Sequence, residues 1–144
     1  MESTIEQNRD LCSRYPFLLI REGDYRFTGL DDLPDGWRIA FGEQLCKELK
    51  AELEHSGCLD QYHILQIKEK YGSLRWYDHG NTAAGHEIVH KYEEISERTC
   101  ICCGKPATRI TTGWISPYCD ACCPAEPFVP IDLYYKKALV DVPL

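Results

Sequence analysis

The sequence predicts an α+β fold, a small antiparallel sheet packed by two helices, followed by a cysteine-built module near the C-terminal end. Three observations predict it. Apolar residues recur at helical spacing in two separate segments. Alternating, β-rich runs bracket a Gly-containing turn between those segments. After Thr99 both patterns give way to clustered cysteines, Gly and Pro. The division that follows is an α+β body over residues 1–99, a module over 100–123, and a Pro-containing apolar tail over 124–144.

In chain order, Tyr15 to Thr28 reads as a hairpin: Phe17 to Ile20, a turn over Arg21 to Asp24, then Tyr25 to Thr28 with alternating aromatics. Leu33-Pro34-Asp35-Gly36 is a break, and Asp35 is placed to cap a helix beginning near Trp37. Trp37, Phe41, Leu45, Leu49 and Leu53 then recur every four residues, a stripe that faces a core, and Gly57 stops it. Tyr62 to Tyr77 predicts a second hairpin, turning at Lys70-Tyr71-Gly72-Ser73. A second helix follows, capped by Asn81 or Thr82, with Ile88, Tyr92 and Ile95 as its apolar stripe, and it is expected on the sheet beside the first helix. In the tail, Pro124, Pro127, Pro130 and Pro143 exclude a continuous helix through Pro130. Phe128, Val129, Ile131, Leu133, Tyr134 and Tyr135 are too apolar for a solvated linker, so the tail is expected to dock on the body or on a partner.

A chain of 144 residues with 44% hydrophobic content has the apolar surface for one packed interior. No stretch near the start is long and apolar enough for a signal peptide or a membrane span, the best being Phe17 to Ile20. A cytoplasmic location is therefore expected. There, nine cysteines favour thiolate or metal chemistry over disulfides. The net charge of −7 is uneven: residues 1–99 carry 12 Lys and Arg against 19 Asp and Glu, and residues 100–144 carry 4 against 4. With no basic stripe to replace condensed counterions, direct nucleic-acid binding is not expected.

Cys100-Ile101-Cys102-Cys103-Gly104 and Cys119-Asp120-Ala121-Cys122-Cys123 contain cysteine pairs at matching two-residue spacing, fifteen residues apart. Two thiolates so spaced grip one tetrahedral ion from a single tight turn, and Gly104 lets the chain reverse behind them. The ligand set read from this spacing is Cys100, Cys103, Cys119 and Cys122, holding one structural zinc in a zinc ribbon, with Cys102 and Cys123 spare and the register open. Four thiolates leave no free coordination position, so the site is expected to be structural. A tetrathiolate centre also carries a charge of about −2, which disfavours phosphate contacts. Cys12, Cys46 and Cys58 are expected to fill core or sub-surface positions.

His86-Glu87-Ile88-Val89-His90 matches the helical zinc-peptidase pattern, in which two histidines bind metal and the glutamate activates water. The apolar stripe lies on a neighbouring face, however, and Lys91 intrudes where such helices are uncharged. A solvated His/Glu face explains the same spacing. His55, His63 and His79 have no spacing that implies chemistry.

Asp35-Gly36-Trp37 opening a helix, the run from Gln66 to Tyr77, and a helix ending Ser96-Glu97-Arg98-Thr99 into the Cys100–Gly104 turn resemble a family of small, largely uncharacterised proteins encoded by bacteria and their phages. The resemblance covers about residues 15–123. It implies a phage or prophage setting and a paired-cysteine, zinc-ribbon-like module, and it brings no activity with it.

The function expected is that of a zinc-stabilised, non-enzymatic interaction or regulatory protein with a protein partner, in a setting of phage–host conflict such as anti-defence. One alternative is a small zinc peptidase using His86, Glu87 and His90. Another is an acidic mimic of nucleic acid that occupies a basic protein groove. The sequence leaves the oligomeric state open.

Overall fold

The computed structural model describes residues 3–140. The first two residues, and Pro143 with the end of the tail, lie outside the described residues.

Helix α1 (Thr4–Arg14) opens the chain and was not foreseen. Ser3 and Glu6 close a reciprocal capping box, with the Glu6 amide donating to Ser3 Oγ at 3.2 Å and the Ser3 amide to Glu6 Oε2 at 3.1 Å. The helix buries Asn8, Leu11 and Cys12.

The hairpin expected over Tyr15–Thr28 is absent. Pro16–Leu18 forms a 3₁₀ turn, and only an isolated bridge joins Leu19 to Thr28. Phe17, Leu18 and Leu19 are all buried, so the segment does not alternate between faces as a strand must. Side chains also take the donors a return strand would use: Asp24 accepts from the Arg26 amide at 3.0 Å, and Asp31 from the Thr28 amide at 2.9 Å.

The first expected helix runs as α2 (Asp35–Trp37), a π-helical turn over Arg38–Gly42, and α3 (Glu43–His55). Pro34, not Asp35, stands at the N-cap, without a side-chain cap. Residues four apart overshoot one α-helical turn by about 40°. The wider π turn rotates the stripe back, and Trp37, Phe41, Leu45, Leu49 and Leu53 are all buried. Gly57 ends the rod in the left-handed region at φ +70°.

Strands β1 (His63–Lys70) and β2 (Ser73–His79) pair antiparallel around Tyr71-Gly72, with Lys70 opposite Ser73, Lys68 opposite Arg75, and a bulge between Ile64 and Gln66. Ile64, Ile67, Leu74 and Trp76 face the core. Helix α4 (Ala83–Ser96), capped by Thr82 Oγ1 on the Gly85 amide at 2.9 Å, packs on α3 and β2. Its buried face is Gly85, Val89, Tyr92 and Ser96. The expected stripe is therefore misphased, with Ile88 only partly buried and Ile95 42% exposed. Ser96 and Glu93 satisfy the edge amides of β2: Leu74 N donates to Ser96 Oγ at 2.9 Å and Trp76 N to Glu93 Oε2 at 3.3 Å.

Beyond α4 a second sheet has the order β4-β3-β5, all antiparallel: β3 (Arg109–Thr111), β4 (Pro117–Tyr118) and β5 (Phe128–Pro130). Helix α5 (Ile131–Val140) begins directly after Pro130. The tail reaches back to α4, with the Arg98–Asp132 ion pair at 2.6 Å and the Tyr135 hydroxyl donating to Glu97 O at 3.1 Å. The whole is a mixed α/β protein with two small antiparallel sheets.

Candidate metal centre

Two turns build the centre. In the first, which leaves the end of α4, the Cys100 amide donates to Lys105 O at 2.8 Å and the Gly104 amide to Cys100 O at 3.1 Å. In the second, which leaves β4, the Cys122 and Cys123 amides donate to Cys119 O at 3.3 and 3.1 Å. The hairpin of β3 and β4 brings the turns together, and the Ile101 amide bonds to Pro117 O at 3.0 Å across the junction.

The sulfurs of Cys100, Cys103, Cys119 and Cys122 all lie within 4.8 Å of one another, with Cys100 and Cys119 buried and the other two half-buried. Cys103 Sγ and Cys119 Sγ are 3.6 Å apart. A tetrahedral ion with metal–sulfur bonds of about 2.3 Å requires sulfur–sulfur edges of about 3.8 Å. The cluster fits. All nine cysteines are free thiols, and Cys102, which is exposed, and Cys123 stand outside the group of four.

Hydrogen bonds within the cluster set its thiols apart. Burial raises the Cys119 thiol, but donors from Cys122, Cys103 and Ala121 outweigh it and hold it at about 7. The Cys122 thiol is pushed up in turn, first by its hydrogen bond to Cys119. One sulfur is thus close to the thiolate form that a metal needs.

The first turn sits on the body at Gly36. The Gly36 amide donates to Ile101 O at 3.0 Å, and the buried Trp37 indole donates to Thr99 O at 3.0 Å. A Cβ on Gly36 would press on the Cys100 carbonyl and lie 2.6 Å from Ile101 C. One on Gly104, at φ +82°, would lie 2.6 Å from Gly36 O. The two glycines meet back to back. This seat was missed from sequence; its signal was a glycine in the first turn of a helix, where it costs about 1 kcal/mol relative to alanine.

His86, Glu87 and His90 all lie on the exposed side of α4. His90 faces Glu94 at 3.1 Å and Glu93 at 3.8 Å. Among the described residues, the four cysteines are the only group of three or more His, Cys, Asp or Glu side chains that converge as a metal-ligand set. His63 and His79 stand opposite each other across the hairpin, their rings 5.3 Å apart.

Fold and site together define a mixed α/β protein whose C-terminal tetrathiol cluster is compatible with a zinc ribbon. No family model, curated protein or solved structure matches the chain. Among the described residues no helix is long and apolar enough to cross a membrane.

Proposed function

We propose that the chain is a zinc-stabilised, non-enzymatic interaction protein that binds a protein partner, and that its setting is phage–host conflict. The observation that carries the metal reading is the convergence of four thiols, and only thiols, in one group. Cys100, Cys103, Cys119 and Cys122 would hold the ion. Zinc bound by four thiolates supplies structure alone, because no coordination position is left for water or substrate. The chain's own part is to fix the first turn at Gly36 and Trp37, so that the module is carried as a rigid extension of the body. A fixed module without a catalytic set serves recognition, and the resemblance of the Gln66–Tyr77 run and the cysteine turns supports the phage setting.

Two measurements test this reading. Metal analysis is expected to find one zinc per chain, unchanged in His90→Ala and lost in Cys119→Ser; a second zinc that disappears with His90→Ala overturns the non-enzymatic reading in favour of the peptidase alternative, which a peptide-cleavage assay then tests. Affinity capture from infected-cell extract, with direct binding then measured on the purified components, is expected to yield a protein partner that chelation releases. Persistent failure to recover one removes the interaction reading.

A further inference from the structure

The outer face of the β1–β2 hairpin departs from the rest of this acidic chain. Lys68 on β1 stands directly opposite Arg75 on β2, and Lys70 follows two residues on. Like charges placed opposite one another across a strand pair destabilise it. No carboxylate relieves them: among the described residues none of the three cations is ion-paired, and Arg75 Nε is buried without a hydrogen-bond partner. The two hairpin acids are engaged elsewhere. Glu69 accepts the Gly72 amide at 2.7 Å, and Asp78 accepts the Tyr62 hydroxyl at 2.8 Å.

Aromatic rings flank the cations. Lys68 Nζ lies 5.9 Å from the Tyr77 ring and Lys70 Nζ 5.7 Å from the Tyr71 ring. Tyr71 is 70% exposed and, with Gly72, holds the left-handed conformation (φ +54° and +77°) that a two-residue hairpin turn requires, which fixes its ring at the tip. Beside it, Trp114 is 72% exposed at the tip of the β3–β4 hairpin. The two tips frame a cleft of about 390 Å³ lined by Glu69, Lys70, Tyr71, Gly113, Trp114 and Ile115. Exposed Trp and Tyr beside a cation are the side chains that dominate binding energy at protein interfaces.

The strand edges differ too. The outer edge of β2 is occupied by Ser96 and Glu93, whereas β1 has no second strand partner among the described residues. An extended segment can add to such an edge.

We propose that this face, Lys68, Lys70, Arg75, Tyr71, Tyr77 and Trp114, is the docking surface for an extended acidic segment of a partner protein, which lays alternate carboxylates along the cations and an apolar side chain between Tyr71 and Trp114. The proposal rests on the interaction reading above and names its surface. Carboxylates two residues apart on a strand are separated by about 7 Å, the spacing of Lys68 and Lys70. Edge-to-edge pairing with the β1 of a second copy is disfavoured, because it sets the same lysines against one another. Nucleic acid is the poorer occupant: three phosphate contacts release few counterions, Glu69 borders the cleft, and the chain carries −7 overall.

The test uses the zinc-loaded full chain and three fluorescein-labelled probes: a peptide of about twelve residues with Glu alternating with Ser around a central Leu-Phe, the same peptide with Lys for Glu, and a short oligo-dT. Anisotropy is expected to show binding of the acidic peptide alone, weakened about tenfold by Lys70→Glu and by Trp114→Ala. Zinc content and melting temperature should be unchanged in both, and Lys70→Gln is a milder second variant if Lys70→Glu fails to fold. No acidic-peptide binding, or binding indifferent to these variants, overturns the proposal; oligo-dT binding that the variants abolish replaces it with a single-strand platform. If a captured partner binds Lys70→Glu and Trp114→Ala like the original chain, the surface is wrong and the interaction reading stands. If no partner is captured at all, the interaction reading falls by its own test.

Discussion

The body buries Trp37, Leu45, Leu49, Leu53, Ile67 and Leu74 at 1% exposure or less, in one continuous cluster that α1, α3, α4 and the first hairpin share. The interior of the C-terminal module amounts to Ala107, Ile110 and Ile131, with a few half-buried neighbours, and forms a separate cluster. The first cluster is large enough to support a cooperative fold by burial, whereas the second offers few apolar side chains to offset the entropy of ordering its loops. The same chain thus holds one region by burial and gathers four sulfurs, able to take a metal ion, at the centre of the other. The two are joined where Gly36 and Trp37 meet the first cysteine turn.

Metal removal should break this contrast most visibly. Structural zinc contributes about 10–16 kcal/mol of apparent binding energy in small modules, so chelation or Cys119→Ser is expected to abolish amide protection in β3, β4 and β5 while that of α3 and β1 persists. Loss of protection throughout the chain would show that the body needs the ion as well. Next in size is Trp37→Ala, which deletes a fully buried ring and its bond to Thr99. It should cost about 3–5 kcal/mol in denaturant titrations and also weaken zinc retention in a chelator competition. Leu53→Ala, far from the seat, is expected to cost about 2–5 kcal/mol with zinc retention unchanged. A parallel fall in zinc retention would mean that the seat is not the main link.

The two regions should also respond to pH with opposite sign. Burial pushes the Cys12 thiol up to about 11 and raises that of Cys46 as well. Both pKa values are raised in the folded state, so the stability they contribute is whole below the usual thiol value near about 8.5. It is lost as pH climbs toward about 11. The module weakens in the other direction, since protons compete with metal for thiolates. Urea titrations at rising alkaline pH should show the body losing stability, and flat behaviour would place those thiols in water. The smallest effect belongs to His90→Ala, an exposed substitution expected to stay within about 0.5 kcal/mol.

What could be read from the sequence follows from how local each signal is. The α3 stripe and the Tyr71-Gly72 turn were legible because periodicity and turn chemistry act over a few residues. The cysteine turns were legible because coordination demands a fixed spacing. Helix α1 carries its local signal in the Ser3–Glu6 capping box alone, because most of its residues are polar and give no apolar stripe at helical spacing. The Tyr15–Thr28 hairpin failed because aromatic alternation there was overruled by Pro16 and by the carboxylates of Asp24 and Asp31. The α4 stripe slipped because Gly85 and Ser96, small or polar in composition, are buried, Gly85 against Asn81 and Thr82 at the N-terminal cap and Ser96 on the edge of β2. The seat of Gly36 against Ile101 joins residues far apart in sequence, and no local pattern encodes such a pairing.

That seat bears on the order of events during synthesis. The body's share of what holds the first cysteine turn, the Gly36 and Trp37 contacts, lies upstream of it, whereas Cys119 and Cys122 emerge later; at about 5–20 residues per second the interval is roughly one to four seconds. The nascent chain is therefore expected to present half of the cage, seated on the body at Gly36 and Trp37, before the remainder leaves the ribosome. A chain cut after residue 118 checks this: it should melt cooperatively with its body intact, and a failure to do so would mean that ion capture precedes the packing of the body.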